Sequence, residues 1–476
     1  MGIGHNRLTQ PINMVNIRRR LRASNLNSGA RWAACLLTLL PGLAFSCVQH
    51  SPPSSGVKPL LTSSALSSQH AAAPGQQSPP DLPPPTTAEV AVAEQRLRQN
   101  RRDVSARISL ASLYARSGKA PEAAQELRAA IRLDPKSVEA YRALAALYRK
   151  ANYLDRELET LETLRRLAPG DAETALRLGD IYLDLGWLED ARQALDQAAR
   201  AAPEEPRVLI GQATLAYLRH QYPAMEQTAQ EGLRRWPQNT ALLVILAEAD
   251  RLQGRYPAAE ELLRRAIRLS ADPSVQARDY TRLAHLLLEP SWKPLRYAEA
   301  EQMARMALRQ SPDDLEAHYW LGRALELQGK MAEAESHYAL AARQDIQFES
   351  VALQLGRIYR RASEPARRAE GERLISLYTT AEANARHFAE ARAAVSAHPN
   401  DASAHRSVAL WYLKSDRAPQ AVVELRRTLQ LRPTDGQARR LLVSALKSMG
   451  RQSEAQAVAQ TSAALSARAL SKEASP

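Results

Sequence analysis

Apolar and small residues return along the chain in a fixed phrase. From about residue 90 a leucine or valine is followed by a small residue and, one helical turn on, by tyrosine or leucine. The instances are Leu110-Ala111 with Tyr114, Leu144-Ala145 with Tyr148, Leu178-Gly179 with Tyr182, Leu321-Gly322 with Leu325, Leu355-Gly356 with Tyr359, and Val408-Ala409 with Tyr412. Apolar positions three and four apart predict amphipathic helices. A glycine then interrupts the pattern at Gly118, Gly186, Gly254, Gly329 and Gly450, and a second helix presents Ala123, Ala191, Ala259, Ala334, Ala421 and Ala455. Prolines close the phrase: Pro135, Pro169, Pro203 and Pro237 lie 34 residues apart, and Pro399 and Pro433 keep that interval. Each period therefore predicts helix, turn, helix and stop.

This arrangement resembles the tetratricopeptide repeat family, two antiparallel helices per 34 residues, most clearly in "TALRLGDIYLDLGWLEDARQALDQAARAAP" at 174–203. The resemblance implies an all-α, right-handed α-solenoid of nine to ten repeats over 87–465, ending in a polar tail, 466–476. Small Ala and Gly let helices approach, and stacking of neighbours buries the face that one pair leaves open. A coiled coil would repeat in heptads instead. Three stretches depart from the rule. The copy at 206–237 has no clean Gly or Ala signature and a turn one residue short. The copy at 276–312 carries an enlarged loop, "EPSWKPLRY". The stretch 373–399 has no turn signal and reads as one long helix.

The N-terminal segment has a different character. A basic run at 17–31 precedes 14 apolar residues, 32–45, and then Ser46 and Cys47. That order predicts an export signal over 1–46, too short and too broken by Pro41-Gly42 to span a bilayer. It resembles a bacterial lipoprotein signal, which implies a lipid on Cys47, with Ala44 where that family carries Leu. Two acyl chains there would give stable anchoring, and either Met1 or Met14 serves as start. Residues 47–86, with nine prolines, read as a disordered Pro/Ser-rich linker that would reach about 35 Å as a coil and about 120 Å as polyproline. The expected location is the bacterial cell envelope, membrane-anchored or periplasmic.

The formal charge of +13 changes this picture little. Residues 1–80 hold seven basic and no acidic side chains, leaving 57 basic and 51 acidic for the rest, a mixed surface that makes nucleic acid an improbable partner. No cysteine follows Cys47, no histidine pair has metal-ligand spacing, and no phosphate loop or nucleophile motif occurs. The expectation is a scaffold without cofactor or catalysis. The family's concave groove, lined by the first helix of each pair, would carry mixed groups in the N-terminal half, Glu173, Asp180, Asp184 and Glu248. In the C-terminal half it would carry Arg323, Arg357, Arg360, Arg361, Arg406, Lys414, Arg440 and Lys447, a surface for an acidic peptide or helix of another protein. Trp292, between prolines in the enlarged loop and expected to be exposed, is a second contact candidate. The family's chaperone-tail clamp needs Lys and Asn where this chain has Ile108, Ser112, Arg142 and Ala143, or Tyr319, Arg323, Leu353 and Gln354, so that role is not expected. An organellar helical-repeat RNA binder with a transit peptide is the alternative; the acidic residues of the N-terminal groove argue against it. An accessory subunit of an enzyme complex would share this sequence.

Overall fold

The computed structural model describes residues 85–344 and 350–460. Cys47, the signal-like segment 1–46, nearly all of the 47–86 linker and the 466–476 tail lie outside them. Every regular element among the described residues is a helix. After α1 (Thr87–Gln99) come consecutive pairs: α2 (Val104–Arg116) with α3 (Ala120–Leu133), α4 (Val138–Lys150) with α5 (Leu154–Leu167), α6 (Ala172–Leu185) with α7 (Leu188–Ala201), and α8 (Pro206–Leu218) with α9 (Tyr222–Arg235). They continue as α10 (Thr240–Leu252) with α11 (Tyr256–Leu269), α12 (Pro273–Leu287) with α13 (Tyr297–Gln310), and α14 (Leu315–Leu327) with α15 (Met331–Gln344). Then follow α16 (Val351–Arg360) with α17 (Pro365–Ala397), α18 (Ala402–Lys414) with α19 (Ala418–Leu431), and α20 (Gly436–Ser448) with a last helix described over 452–460.

Local chemistry explains where the helices start and turn. Each first helix begins after a polar cap, and Asp103, Ser137, Asn239 and Asp435 accept a hydrogen bond from the backbone N–H three residues on, satisfying one otherwise orphaned donor. The turn inside a pair needs one residue in the left-handed region. Glycine fills it at 118, 186, 254, 329 and 450, but Asn152, His220 and Asp416 take the same place with φ of 58°, 56° and 57°. His220 is why the pair at 206–237 looked irregular in sequence: its turn is intact, made without glycine and strained by about 1 kcal/mol or more. The six signature alanines, 123, 191, 259, 334, 421 and 455, all show 0% exposure. They let the two helices of a pair touch.

The two other departures have simple geometry. Between α12 and α13 the enlarged loop folds back on the array: the Trp292 ring stacks on Tyr256 at 5.9 Å, with Arg296 over it at 5.5 Å. Trp292 is thus half-buried, not the exposed anchor expected. Lacking any turn residue, 365–397 form a single 33-residue helix. Its start is clamped to α16 where Gly356 and Gly371 meet backbone to backbone.

The stack does not end as an open arc. Helix α19 packs against α5, and the C-terminal half of α17 lies along the α6–α7 and α8–α9 turns. Val423 of α19 enters the core of the α4–α8 region beside Leu158, Leu161 and Leu195. The solenoid closes on itself.

Candidate interaction surfaces

The closing seam is built from three polar centres on the turn edge of α4 to α9. At the first, the Asp155 carboxylate near the start of α5 accepts bonds from Arg451 at 2.7 and 2.9 Å and lies 2.8 Å from Arg426. Glu454 completes it, accepting from Arg156, Arg426 and Arg451 at 2.8–2.9 Å. The Arg451 guanidinium also lies 4.8 Å above the Tyr153 ring. Asp155 and Arg451 are separated by 296 residues and are 3% and 2% exposed. Burial opposes ionisation of Glu454, but its arginine partners hold the carboxyl down at about 2.

At the second centre Asp184, last turn of α6, accepts from Arg417 at 2.9 and 3.1 Å and from Gln420 at 3.1 Å. Burial would raise its pKa; the Arg417 charge and the Gln420 bond lower it below the ordinary carboxylate range. The third centre joins a carboxylate to two rings. Trp187 donates from Nε1 to Glu424 at 2.9 Å, and Glu424 is bonded to His405 Nδ1 at 2.5 Å. The other His405 nitrogen meets the Pro399 carbonyl at 2.9 Å, and Trp187 stands edge-on to that imidazole at 5.8 Å. Burial would lower His405, but Glu424 beside it holds the imidazole above its ordinary range. Removing one partner from such buried pairs costs about 3–5 kcal/mol, because the other charge stays desolvated.

Three cavities open along this seam. One of about 530 Å³ is lined by Leu218, Leu252, Arg219, Phe388 and Arg392. A second, of about 580 Å³, lies between Leu158, Glu162, Val423 and Leu442. The third, about 110 Å³, touches Tyr182, Val395 and His405.

The charged residues expected to face a partner divide into two sets. Arg323 donates to Glu326 at 2.7 Å, and Arg406 is paired with Asp435, so both serve the array itself. The same holds on the acidic side: Glu173 binds Arg207, Glu248 binds Arg251 and Asp184 binds Arg417. By contrast Arg357, Arg360, Arg361, Lys414, Arg440 and Lys447 are exposed and hold no ion pair or hydrogen bond among the described residues. Arg357 and Arg360 lie in the last turn of α16 and Arg361 caps it. Sequence reasoning missed Asp155, Trp187, Arg417, Glu424, Arg426 and Arg451, whose partners lie in distant repeats.

No group of three or more His, Cys, Asp or Glu suited to a metal occurs among the described residues. The nearest approach is His318 and His337, Nδ1 to Nδ1 at 3.1 Å; His318 Nε2 meets the Pro312 carbonyl at 3.0 Å. Burial keeps both imidazoles below their ordinary range. No described helix is long and apolar enough to cross a membrane.

Paired helices, small-residue contacts and a surface of charged side chains define a helical-repeat interaction scaffold. The chain is a tetratricopeptide repeat protein: tetratricopeptide-repeat profiles match 158–215 and 295–347, and a TPR-repeat profile matches 111–151. Repeats of this kind mediate contacts between proteins. No curated protein matches the chain. Among solved structures, a tetratricopeptide repeat protein from Parabacteroides merdae is 18% identical, covering 50% of this chain and 91% of that one, with a TM-score of 0.40. Yeast Tom70 is 18% identical over 78% of this chain and 73% of its own, with a TM-score of 0.42. The human IFIT1 dimer with m7Gppp-AAAA is 19% identical over 80% of this chain and 96% of its own, with a TM-score of 0.38.

Proposed function

We propose that the chain is an exported scaffold, held at a bacterial envelope membrane through a lipid on Cys47, which gathers other proteins of an envelope assembly such as pilus, secretion or export machinery. Its binding surface for them is the exposed arginine cluster Arg357, Arg360 and Arg361, continued by Lys414, Arg440 and Lys447, and its partner segment is acidic. The arginine cluster carries the reading: three guanidiniums within five residues, solvent-facing and without a carboxylate among the described residues. Like charges so placed repel, and a partner's carboxylates relieve that with planar, bidentate contacts. Export is supported by the order of basic run, apolar run and Cys47, with the proline-rich stretch as tether.

Two measurements test the two halves separately. Metabolic fatty-acid labelling should mark the wild type and not Cys47→Ser; an unlabelled wild type removes the lipid, and a cytosolic one removes export. In-cell crosslinking should capture a partner with the wild type. Arg357→Glu/Arg360→Glu/Arg361→Glu should lose that partner while helicity stays intact. Association should also weaken as salt shortens the Debye length below about 8 Å. Capture unchanged by the triple reversal at low salt contradicts the surface.

A further inference from the structure

The seam joins the α4 to α8 region to returning helices that carry buried clusters of their own, with Trp187 packed against one of them. Among the described residues, the core around α4 to α8 is made of its own leucines and alanines, with Val423 as the one buried side chain from the returning helices. Those helices pack on one another through Ala409, Val422, Leu425, Leu442 and Leu446. Between the two sides the contacts are chiefly ionic and aromatic: Asp155 with Arg451 and Arg426, Asp184 with Arg417, Trp187 with Glu424.

Successive pairs are joined by side chains of 0% exposure such as Leu178, Leu242, Leu243 and Leu283, at the density of a protein interior. Along the seam lie cavities of about 530, 580 and 110 Å³. Every atom lining such a space lacks dispersion partners on one side. An interface that is polar and gapped is where a ring parts first.

We propose that the seam is a reversible clasp: the C-terminal half of α17 and the helices after it leave and re-engage the turn edge of α4 to α9. Helix α16 and the start of α17 stay with the array, because Val351, Leu355 and Leu374 share the buried core of α8 to α15. Opening converts the closed ring into an arc and bares the carboxylates of Asp155 and Asp184, which Arg426, Arg451 and Arg417 of the arm cover when closed. The proposal does not rest on export, on Cys47 or on the Arg357 cluster.

The test uses the full chain carrying Cys35→Ser and Cys47→Ser, with dyes on Glu159→Cys and Gln430→Cys, two exposed positions that line the same seam cavity. Energy transfer between them should be high in this background. Arg417→Glu with Arg451→Glu sets like charges against Asp184 and Asp155. The closed-to-open ratio should then fall by at least about a hundredfold, with helicity and the thermal transition of the repeats retained. The milder Arg451→Gln should move transfer the same way by less. Unchanged transfer in the doubly reversed chain overturns the proposal. So does loss of helicity in step with loss of transfer, because the seam is then part of the fold and not a clasp.

Discussion

Replacing Gly371 by alanine sets two effects against each other. In an ordinary helix interior the change stabilises by about 0.5–1 kcal/mol, since alanine loses less backbone entropy. Here an added Cβ would lie 2.6 Å from the Arg360 amide nitrogen, 2.8 Å from the Gly356 carbonyl oxygen and 3.0 Å from the Tyr359 carbonyl carbon. All three are main-chain atoms, so no rotamer change relieves the contact; α16 and α17 must move apart along their whole interface. Overpacking of this kind typically costs about 1–3 kcal/mol, which exceeds the entropic gain, so net destabilisation of about 1–2 kcal/mol is expected. Amide hydrogen exchange in α16 and the first half of α17 reads this locally, where a repeat array need not unfold in two states. Gly436→Ala is the control: an added Cβ meets only Arg440 Nη1, at 3.8 Å, so that variant should be neutral or slightly more stable. Protection in Gly371→Ala equal to or above wild type would refute the close approach.

Two further outcomes follow from the core and the seam. Leu178→Asp places an unpaired carboxylate at a position of 0% exposure, and exchange protection in α4 to α8 should collapse while α12 to α15 stay protected, as nearest-neighbour stacking requires; uniform loss, or none, argues against local stacking. For acid, Glu454 and Asp184 lie below their unfolded values of 4.5 and 3.8, so their contribution to closure is present above about pH 5 and is lost as pH falls toward 2. Scattering-derived dimensions should therefore grow over that range, with a shallower change in Glu454→Gln; identical acid profiles would remove Glu454 from the seam.

The parts of this structure legible in sequence are those made by neighbours. Caps such as Asp103 and Ser137, the turn glycines and the alanines at 34-residue steps act within one or two helices, and they marked the array correctly. His220 hid a turn, because only context shows a histidine in the left-handed region. Trp292 between prolines suggested exposure, while Tyr256, 36 positions earlier in the chain, supplies the ring that covers it. The charge contrast between the two halves was visible and suggested a groove awaiting a partner. In part it is the chain's own complement: Asp184 answers to Arg417 across 233 residues. Such pairs leave no local signal, since a surface carboxylate and one reserved for a distant arginine look alike in a single sequence.

Closure is the claim on which the shape of the scaffold depends, and a double-mutant cycle between Asp155 and Arg451 addresses it most directly. The two lie 296 residues apart, and their atoms meet at 2.7 Å. Asp155→Ala, Arg451→Ala and the double variant, compared by the closed-to-open ratio that dyes at Glu159→Cys and Gln430→Cys read, should give a coupling energy of about 1–3 kcal/mol, the range for groups in one buried network. Additivity within about 0.5 kcal/mol, the behaviour of sites more than 7–10 Å apart, would contradict the closed ring.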